Sequence, residues 1–282
     1  MLDPRFANLR IVLVEPAGAL NVGSIARIMK NMGLSHLVLV NPQCDPIGAE
    51  ARQMAVHAPE ILETATIVAT LPEALIGCQR AIATTGLQRP LTTPLEPPRT
   101  ALPWLLGDQI QPDSAALIFG REDRGLTNEE LNYAHRLIYI PSSPIYPSLN
   151  LAQAVAICCY ELFLIGDEGD RADGDDKGDG EAKRSLSLPS LPTSSSSPPL
   201  PSLPPLSSTH IPATLDTLEG FYQHLEAVLL QIGYLYPHTA ASRMEKFRRL
   251  FHRSLPTPEE VAMLRGILSQ VQWTVKQNYD RQ

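Results

Sequence analysis

The hydrophobic positions in the first 165 residues come as short unbroken runs, and amphipathic stretches separate them. Each run is four or five residues long and is followed within two residues by Pro, Gly or Asn. Runs that are apolar at nearly every position are typical of parallel strands covered on both faces, because a solvated face would alternate with polar residues. They predict strands over 11–14, 36–40, 80–84, 115–119 and 137–140, with residues 66–69 an ambiguous further segment.

Helical spacing characterises the stretches between these runs. Residues 21–32 have apolar positions three and four apart, and Asn21 is predicted to cap the helix. Ser148 is predicted to cap a second helix that continues to about Leu164. Alternating strands and helices favour an α/β domain with a mostly parallel sheet over residues 1–165.

The composition changes abruptly after residue 165. Asp, Glu, Gly and Lys dominate 167–184, and Ser, Pro and Leu dominate 185–206. Neither segment buries enough apolar surface to offset its ordering entropy, so residues 166–213 are predicted to be a disordered linker that leaves the C-terminal residues mobile. Helical spacing resumes near Thr214 and predicts a small all-α domain over residues 214–282.

Charge and cysteine usage narrow the class of protein. The formal net charge of −7 argues against a wholly basic nucleic-acid binder, although a basic helix is predicted near residues 240–251. The first residues lack a signal-peptide pattern, and the apolar stretch 151–165 is shorter than the roughly 20 residues that span a bilayer. We therefore expect a cytoplasmic protein with no membrane partner and with four reduced cysteines.

Three polar segments follow apolar runs and open helical stretches. They are Asn21–Arg27, Phe119–Leu126 and Ser148–Ala154, and the strand end at 84–86 adds a fourth. Each segment taken alone also fits a helix cap or a solvated turn. Because parallel strands place their carboxyl ends at one edge of a sheet, where open α/β sheets bind ligands, the segments predict one shared pocket.

Several common chemistries are excluded by the absence of their motifs. The chain has no GxGxxG after its first strand, no GxxxxGK[ST], no HExxH and no GxSxG. Its seven histidines are scattered, and none has metal-ligand spacing with the cysteines, so no metal is expected.

Taken in order, the three segments resemble the three motifs of the SpoU (TrmH) family of RNA 2′-O-methyltransferases. Residues 221–268 resemble the C-terminal extension of the family's TrmJ branch, which modifies position 32 of the tRNA anticodon loop. The resemblance covers about residues 1–165 and 214–275. It implies a SPOUT fold with a C-terminal trefoil knot, a homodimer, tRNA as partner and S-adenosylmethionine as cofactor.

The resemblance also implies roles for individual residues. The implied cofactor-binding residues are Thr84, Thr85, Gly86, Gly120, Ile140, Ser148, Leu149 and Asn150. The implied catalytic residues are Arg27, Asn21, Glu122, Ser148 and Asn150. A guanidinium is a poor proton acceptor, so Arg27 is expected to stabilise the developing 2′-alkoxide and a nearby phosphate, with a role as literal base the alternative.

The basic helix predicts where RNA would be held. Its positive side chains suit phosphate contacts, although a solvated helix face is the alternative. The residues are Arg243, Lys246, Arg248, Arg249 and Arg253. Two further functions stay open at this point, which are 2′-O-methylation of ribosomal RNA and RNA binding without catalysis on the same scaffold.

Overall fold

A single parallel sheet organises the first part of the chain. The computed structural model describes residues 6–86, 93–106, 114–172 and 211–279, so most of the predicted linker lies outside the described residues. Within that described part, seven strands pair in the order β3-β2-β1-β6-β4-β7-β5, and every pair is parallel. The strands are β1 Leu9–Val14, β2 His36–Val40, β3 Thr66–Val68, β4 Arg80–Thr84, β5 Leu95–Glu96, β6 Ala115–Phe119 and β7 Arg136–Ile138.

Helices connect the strands and make up the C-terminal region. The connecting helices are α1 Ala19–Asn31, α2 Ala49–Ala55, α3 Pro59–Glu63, α4 Leu71–Ala74, α5 Pro98–Ala101, α6 Pro103–Leu106, α7 Asn128–Leu131 and α8 Leu151–Ala172. The C-terminal helices are α9 Leu215–Gln231, α10 Pro237–Ser254 and α11 Pro258–Tyr279. The parallel α/β sheet and the helical C-terminal region are thus confirmed, whereas the trefoil knot stays a prediction.

Successive residues of each strand enter two separate cores. In β1, Ile11 and Leu13 belong to the core formed with α1 and α8, while Val12 and Val14 belong to the core on the opposite face. All four side chains are almost completely inaccessible to solvent. This is why the strand sequences do not alternate regularly between apolar and polar residues.

The second face of the sheet is closed by the C-terminal helices. Side chains of α9, including Phe221 and Tyr222, share one buried cluster with Leu75 and with strand residues. The backbone N–H of Leu215 donates to the carbonyl of Cys78 at 2.8 Å, and Asp216 accepts from the N–H of Gly77 at 2.9 Å. These contacts correct the expectation that the linker leaves the helical region mobile.

Several element boundaries also differ from the sequence-based expectation. Helix α1 begins at Ala19, so Asn21 lies inside its first turn and does not cap it. Helix α8 begins at Leu151, and the side chain of Asn150, not that of Ser148, accepts from the N–H of Ala152 at 2.9 Å. The same helix continues to Ala172, past the predicted start of the linker, since helical hydrogen bonding does not require an apolar face throughout.

Strand β5 was not predicted from the sequence. It has two residues, too few for an apolar run to be recognised, and it pairs with β7 at the edge of the sheet. Among the described helices, none is long and apolar enough to cross a membrane.

A pair of histidines lies at the junction between the sheet and the C-terminal helices. The rings of His135 and His252 have centroids 4.6 Å apart, and His252 is only 6% exposed. Burial, followed by the charge of Arg248, lowers the pKa of His252 to about 4. Burial also lowers the pKa of His135 well below its ordinary value. Both rings are therefore neutral at pH 7.

From this buried, neutral pair we predict that the free energy of unfolding is smaller in mild acid than at pH 7. An unfolded histidine binds a proton below about pH 6.5, whereas folded His252 stays neutral down to about pH 4. The unfolded state thus holds more protons in that window, and the free energy of unfolding should fall by about 3 kcal/mol as the pH drops through it. Urea unfolding at pH 7.0, 6.0, 5.0 and 4.5 measures this fall.

The matched variants are His252→Asn and His57→Asn, the latter at an exposed position. The pH dependence between 6.5 and 4.5 should be shallower in His252→Asn and unchanged in His57→Asn. Equal slopes in all three proteins would contradict the assignment to the buried pair.

Candidate active site

A cavity of about 220 Å³ opens at the carboxyl edge of the sheet, between the loops that follow β4, β6 and β7. Strand β4 lies between β6 and β7 in the sheet, so three segments that are far apart in sequence meet at this cavity. Most of the predicted cofactor-binding residues line it, namely Thr84, Thr85, Gly86, Gly120, Ile140, Ser148 and Leu149. The second and third polar segments and the strand end at 84–86 therefore converge as expected, whereas no residue of Asn21–Arg27 is in the lining.

Glu122 joins the loop after β6 to the start of α1. Its carboxylate accepts hydrogen bonds from the backbone N–H of Ala17 at 2.9 Å and of Gly18 at 3.0 Å. It also accepts one from the side-chain amide of Asn21 at 2.9 Å. Partial burial opposes ionisation of Glu122, but these hydrogen bonds outweigh it and lower its pKa. The carboxylate is therefore charged at neutral pH and neutralises the positive end of the α1 dipole.

Asn21 extends this connection to the third motif. While its amide nitrogen donates to Glu122, its side-chain oxygen accepts from the amide nitrogen of Asn150 at 3.1 Å. The oxygen of Asn150 in turn accepts from the N–H of Ala152, which fixes the orientation of both amides. One chain of hydrogen bonds thus joins Glu122 to Asn21 and Asn21 to Asn150, pairs that are 101 and 129 residues apart in sequence.

Arg124 holds the same loop from its other side, and the sequence did not reveal this role. Its guanidinium donates to both carboxylate oxygens of Glu130, at 3.1 and 3.3 Å, and to Glu15 at 2.9 Å. The hydrogen bond from Arg124 is the largest cause of the lowered pKa of Glu15. The sequence signal that could have revealed it is the capping box of Thr127 and Glu130. This box fixes the carboxylate of Glu130 close in sequence to the charged residues 121–124.

Gly120 is required by the closure of this loop on itself. A Cβ atom at this position would lie 2.3 Å from the carbonyl carbon of Gly125 and 2.3 Å from the nitrogen of Leu126. The space that a side chain would need at Gly120 is therefore already occupied by the loop's own backbone. Any other residue would force the cavity wall to move.

Arg27 lies apart from this hydrogen-bonded chain. It is exposed on α1 and is not among the residues that line the cavity. It lies six positions after Asn21, which in an α-helix means about 9 Å along the axis and a different face. Ser148 lines the cavity and is exposed.

The five basic residues predicted on α10 do not share one role. Arg248 forms a bidentate ion pair with Glu219 at 2.6 and 2.9 Å, is 18% exposed, and lies over the rings of Tyr133 and Tyr222. This corrects the expectation that Arg248 faces RNA, because its charge is used to hold α10 against α9 and the sheet domain. Arg243 donates to the carbonyl of Tyr234 at 3.2 Å and stays exposed.

The remaining three basic residues of α10 face the sheet domain. Lys246, Arg249 and Arg253 line a cleft next to β5 and β7, and Arg249 is also paired with Glu245 on its own helix. The described residues hold no group of three or more His, Cys, Asp or Glu side chains able to bind a metal ion.

A parallel sheet covered on both faces, with a cavity at its carboxyl edge bounded by three polar loops, defines an α/β protein that binds a small molecule at that edge. Residues 8–160 match the SpoU rRNA Methylase family, and residues 216–281 match the C-terminal domain of the tRNA methyltransferase TrmJ. The chain belongs to the SpoU family of methylases, and it has the C-terminal domain of the TrmJ branch.

The similarity to known proteins extends over almost the whole chain. The tRNA (cytidine/uridine-2′-O-)-methyltransferase TrmJ of Pectobacterium atrosepticum is 40% identical over 274 residues, covering 97% of this chain and 99% of the relative. The protein of the same name from Cronobacter sakazakii is 37% identical, covering 94% and 96%. The crystal structure of TrmJ from Z. mobilis ZM4 superimposes with a TM-score of 0.73 at 28% identity, covering 94% of this chain and all of that one.

We predict that replacing the carboxylate of Glu122 lowers the stability of the protein measurably. In Glu122→Gln, one oxygen becomes an NH₂ group that faces a backbone donor, and the charge that strengthens these bonds disappears. Loss of charge-assisted hydrogen bonds should lower the free energy of unfolding by about 1.5 to 3 kcal/mol. Amide hydrogen exchange at Ala17 and Gly18 should also become faster.

Glu129→Gln is the matched control, since Glu129 is exposed on the neighbouring α7. Chemical denaturation and exchange mass spectrometry compare the two variants. If Glu122→Gln were as stable and as slowly exchanging as Glu129→Gln, the carboxylate would not hold α1 to this loop.

Proposed function

We propose that this protein transfers a methyl group from S-adenosylmethionine to the ribose 2′-hydroxyl of the pyrimidine at position 32 of a tRNA anticodon loop. The observation that carries the proposal is the chain of hydrogen bonds from Glu122, which lines the cavity, through Asn21 to Asn150. It joins the three motifs of the family in one site. Curated relatives over nearly the full length are named as tRNA (cytidine/uridine-2′-O-)-methyltransferases.

The residues that line the cavity suit the cofactor. Small residues, among them Thr85, Gly86 and Gly120, stand beside larger apolar and charged side chains in its wall, and a Cβ placed on Gly86 would meet open space. Thr85, Gly86, Gly120, Ile140 and Leu149 would hold the cofactor, largely through backbone groups. When bound, S-adenosylmethionine supplies an electrophilic methyl group on a sulfonium.

The polar residues of this hydrogen-bonded chain position the ribose. Glu122 fixes the orientation of Asn21, and Asn21 fixes that of Asn150, so their amide groups are preorganised before substrate arrives. Ser148, two residues before Asn150, lines the cavity. The exposed guanidinium of Arg27 meets the RNA and stabilises negative charge that develops as the 2′-hydroxyl loses its proton.

Arg27→Ala should lower the single-turnover rate of methyl transfer to tRNA at least about 100-fold, the scale of losing one electrostatic stabiliser. Affinity for S-adenosylhomocysteine should stay unchanged, because Arg27 does not line the cavity. Lys30→Ala, one turn along the same exposed part of α1, should retain wild-type transfer. Retained turnover in Arg27→Ala would remove this residue from the mechanism.

The same transfer assay separates the alternative functions. Labelled methyl groups should enter tRNA, and mapping of 2′-O-methyl groups in RNA from cells lacking the gene should show position 32 as the lost site. Label in ribosomal RNA alone would favour the ribosomal substrate. Binding of tRNA without transfer would favour a non-catalytic RNA-binding protein.

We also propose that the protein acts as a homodimer in the cytoplasm, where tRNA is its substrate. Helices α1 and α8 contact each other and leave apolar side chains exposed, among them Leu20, Tyr160 and Phe163. Ile145 and Tyr146, in the loop before α8, are 92% and 77% exposed. Apolar surface of this extent is typical of an interface between copies.

Sedimentation equilibrium of the full chain should give the mass of a dimer. Tyr160→Asp combined with Phe163→Asp should give the mass of a monomer, because two charges would be buried in the interface. The control combines Met263→Asp with Ile267→Asp, which changes two exposed apolar residues of α11. A dimer that survives the first pair and dissociates with the second would place the interface elsewhere.

A further inference from the structure

A second cleft lies at the opposite end of the sheet from the cofactor cavity. It has a volume of about 650 Å³ and lies between α10 and the amino-terminal ends of β5 and β7. Along β7 the chain runs from Arg136, in this cleft, to Ile140, in the wall of the cofactor cavity. Four residues of extended chain span ~13 Å. The cleft is therefore separate from the methyl-transfer site.

Positive charge is concentrated in this cleft. Arg136 comes from the sheet domain, whereas Lys246, Arg249 and Arg253 come from α10. The carboxylate in its lining is Glu96, which is 3.5 Å from Arg136. Glu245 is paired with Arg249 on α10, so four cations stand against two anions, which still leaves a positive patch on a chain whose net charge is −7. Such a patch attracts a polyanion.

The cleft also has an aromatic wall. The ring of Trp104 lies 5.5 Å from that of His135, and the Arg136 guanidinium lies 4.8 Å from the centroid of Trp104. This stacking holds the guanidinium plane in one orientation, so less entropy is lost when it binds a phosphate.

A buried hydrogen-bond donor is present beside these charges. The Nδ1 atom of His135 accepts from the N–H of Ala81 at 3.2 Å, so the proton of the neutral ring is on Nε2. That Nε2 atom has no hydrogen-bond partner among the described residues, although His135 lines the cleft. Because this atom is itself buried, the groups that can reach a phosphate in the cleft are its cationic side chains.

We propose that this interdomain cleft binds backbone phosphates of the tRNA at a point remote from the methylated ribose, with Arg136 of the sheet domain and the basic residues of α10 acting together. The proposal rests on the proposed tRNA substrate and adds a contact shared between the two halves of the chain. Because Arg248 and α9 hold the helical region against the sheet, the cleft is formed before RNA binds.

The first test removes charge from the helical side of the cleft. Lys246→Glu with Arg253→Glu should raise the Kd for tRNA at least about tenfold and reduce the slope of log K against log salt by about 1 to 2. Affinity for S-adenosylhomocysteine and the thermal midpoint should not change, because neither side chain is buried. The control, Arg265→Glu with Lys276→Glu on exposed α11, makes the same change of charge outside the cleft.

The second test examines the sheet side. Arg136→Gln should raise the Kd and flatten the salt slope, Arg136→Lys should restore most of the slope, and Arg52→Gln should bind tRNA as the wild type does. Arg52 is a suitable control because it is also an ion-paired arginine of the sheet domain. A Kd unchanged in Arg136→Gln would overturn the shared cleft even if the α10 variants bind weakly.

The outcomes distinguish this proposal from the proposed function. If the wild-type protein methylates tRNA but both cleft variants bind it as tightly as their controls, the cleft proposal alone is wrong. If the wild-type protein neither binds nor methylates tRNA, the proposed function is wrong and the cleft proposal with it. Equal weakening by the α11 control would show that overall charge, and not the cleft, governs binding.

Discussion

The carboxylate of Glu122 is the constraint on which the site depends. It lies at the start of α1, where it accepts the N–H of the N-cap residue Gly18, the N–H of Ala17 just before it and the side-chain amide of Asn21. A helix N-terminus needs such acceptors in any fold. Here the acceptor comes from a loop more than a hundred residues later in the chain, so satisfying the helix also brings the first two motifs together. Asn150 then joins the third.

The C-terminal helices likewise serve the fold and the function together. Parallel strands that are apolar on both sides must be covered on both sides. The connecting helices α1 and α8 cover one face, and α9 completes the other through Phe221 and Tyr222. Residues beyond the predicted linker are thus part of the methylase core, and their basic surface is held in a fixed position beside the sheet.

The sequence was sufficient for most of the sheet and for the location of the site. Apolar runs located β1, β2, β4, β6 and β7 to within two residues, and polar residues at their ends predicted one pocket. It was not sufficient for partners far apart in the chain. No local pattern links Arg124 to Glu15, or shows that Arg248 is paired with Glu219 while Arg243 on the same helix stays exposed. Such pairings depend on tertiary packing, which cannot be predicted from the hydrophobic periodicity of the sequence.

The central claim is that the three motifs act as one unit through Glu122, Asn21 and Asn150. A double-mutant cycle tests it, with Glu122→Gln and Asn150→Ala made singly and together and the single-turnover rate of methyl transfer to tRNA measured for each. If the residues act as a unit, the double variant should be about as slow as the slower single variant. Rate losses that multiply would show that the two residues act independently, which would contradict the account.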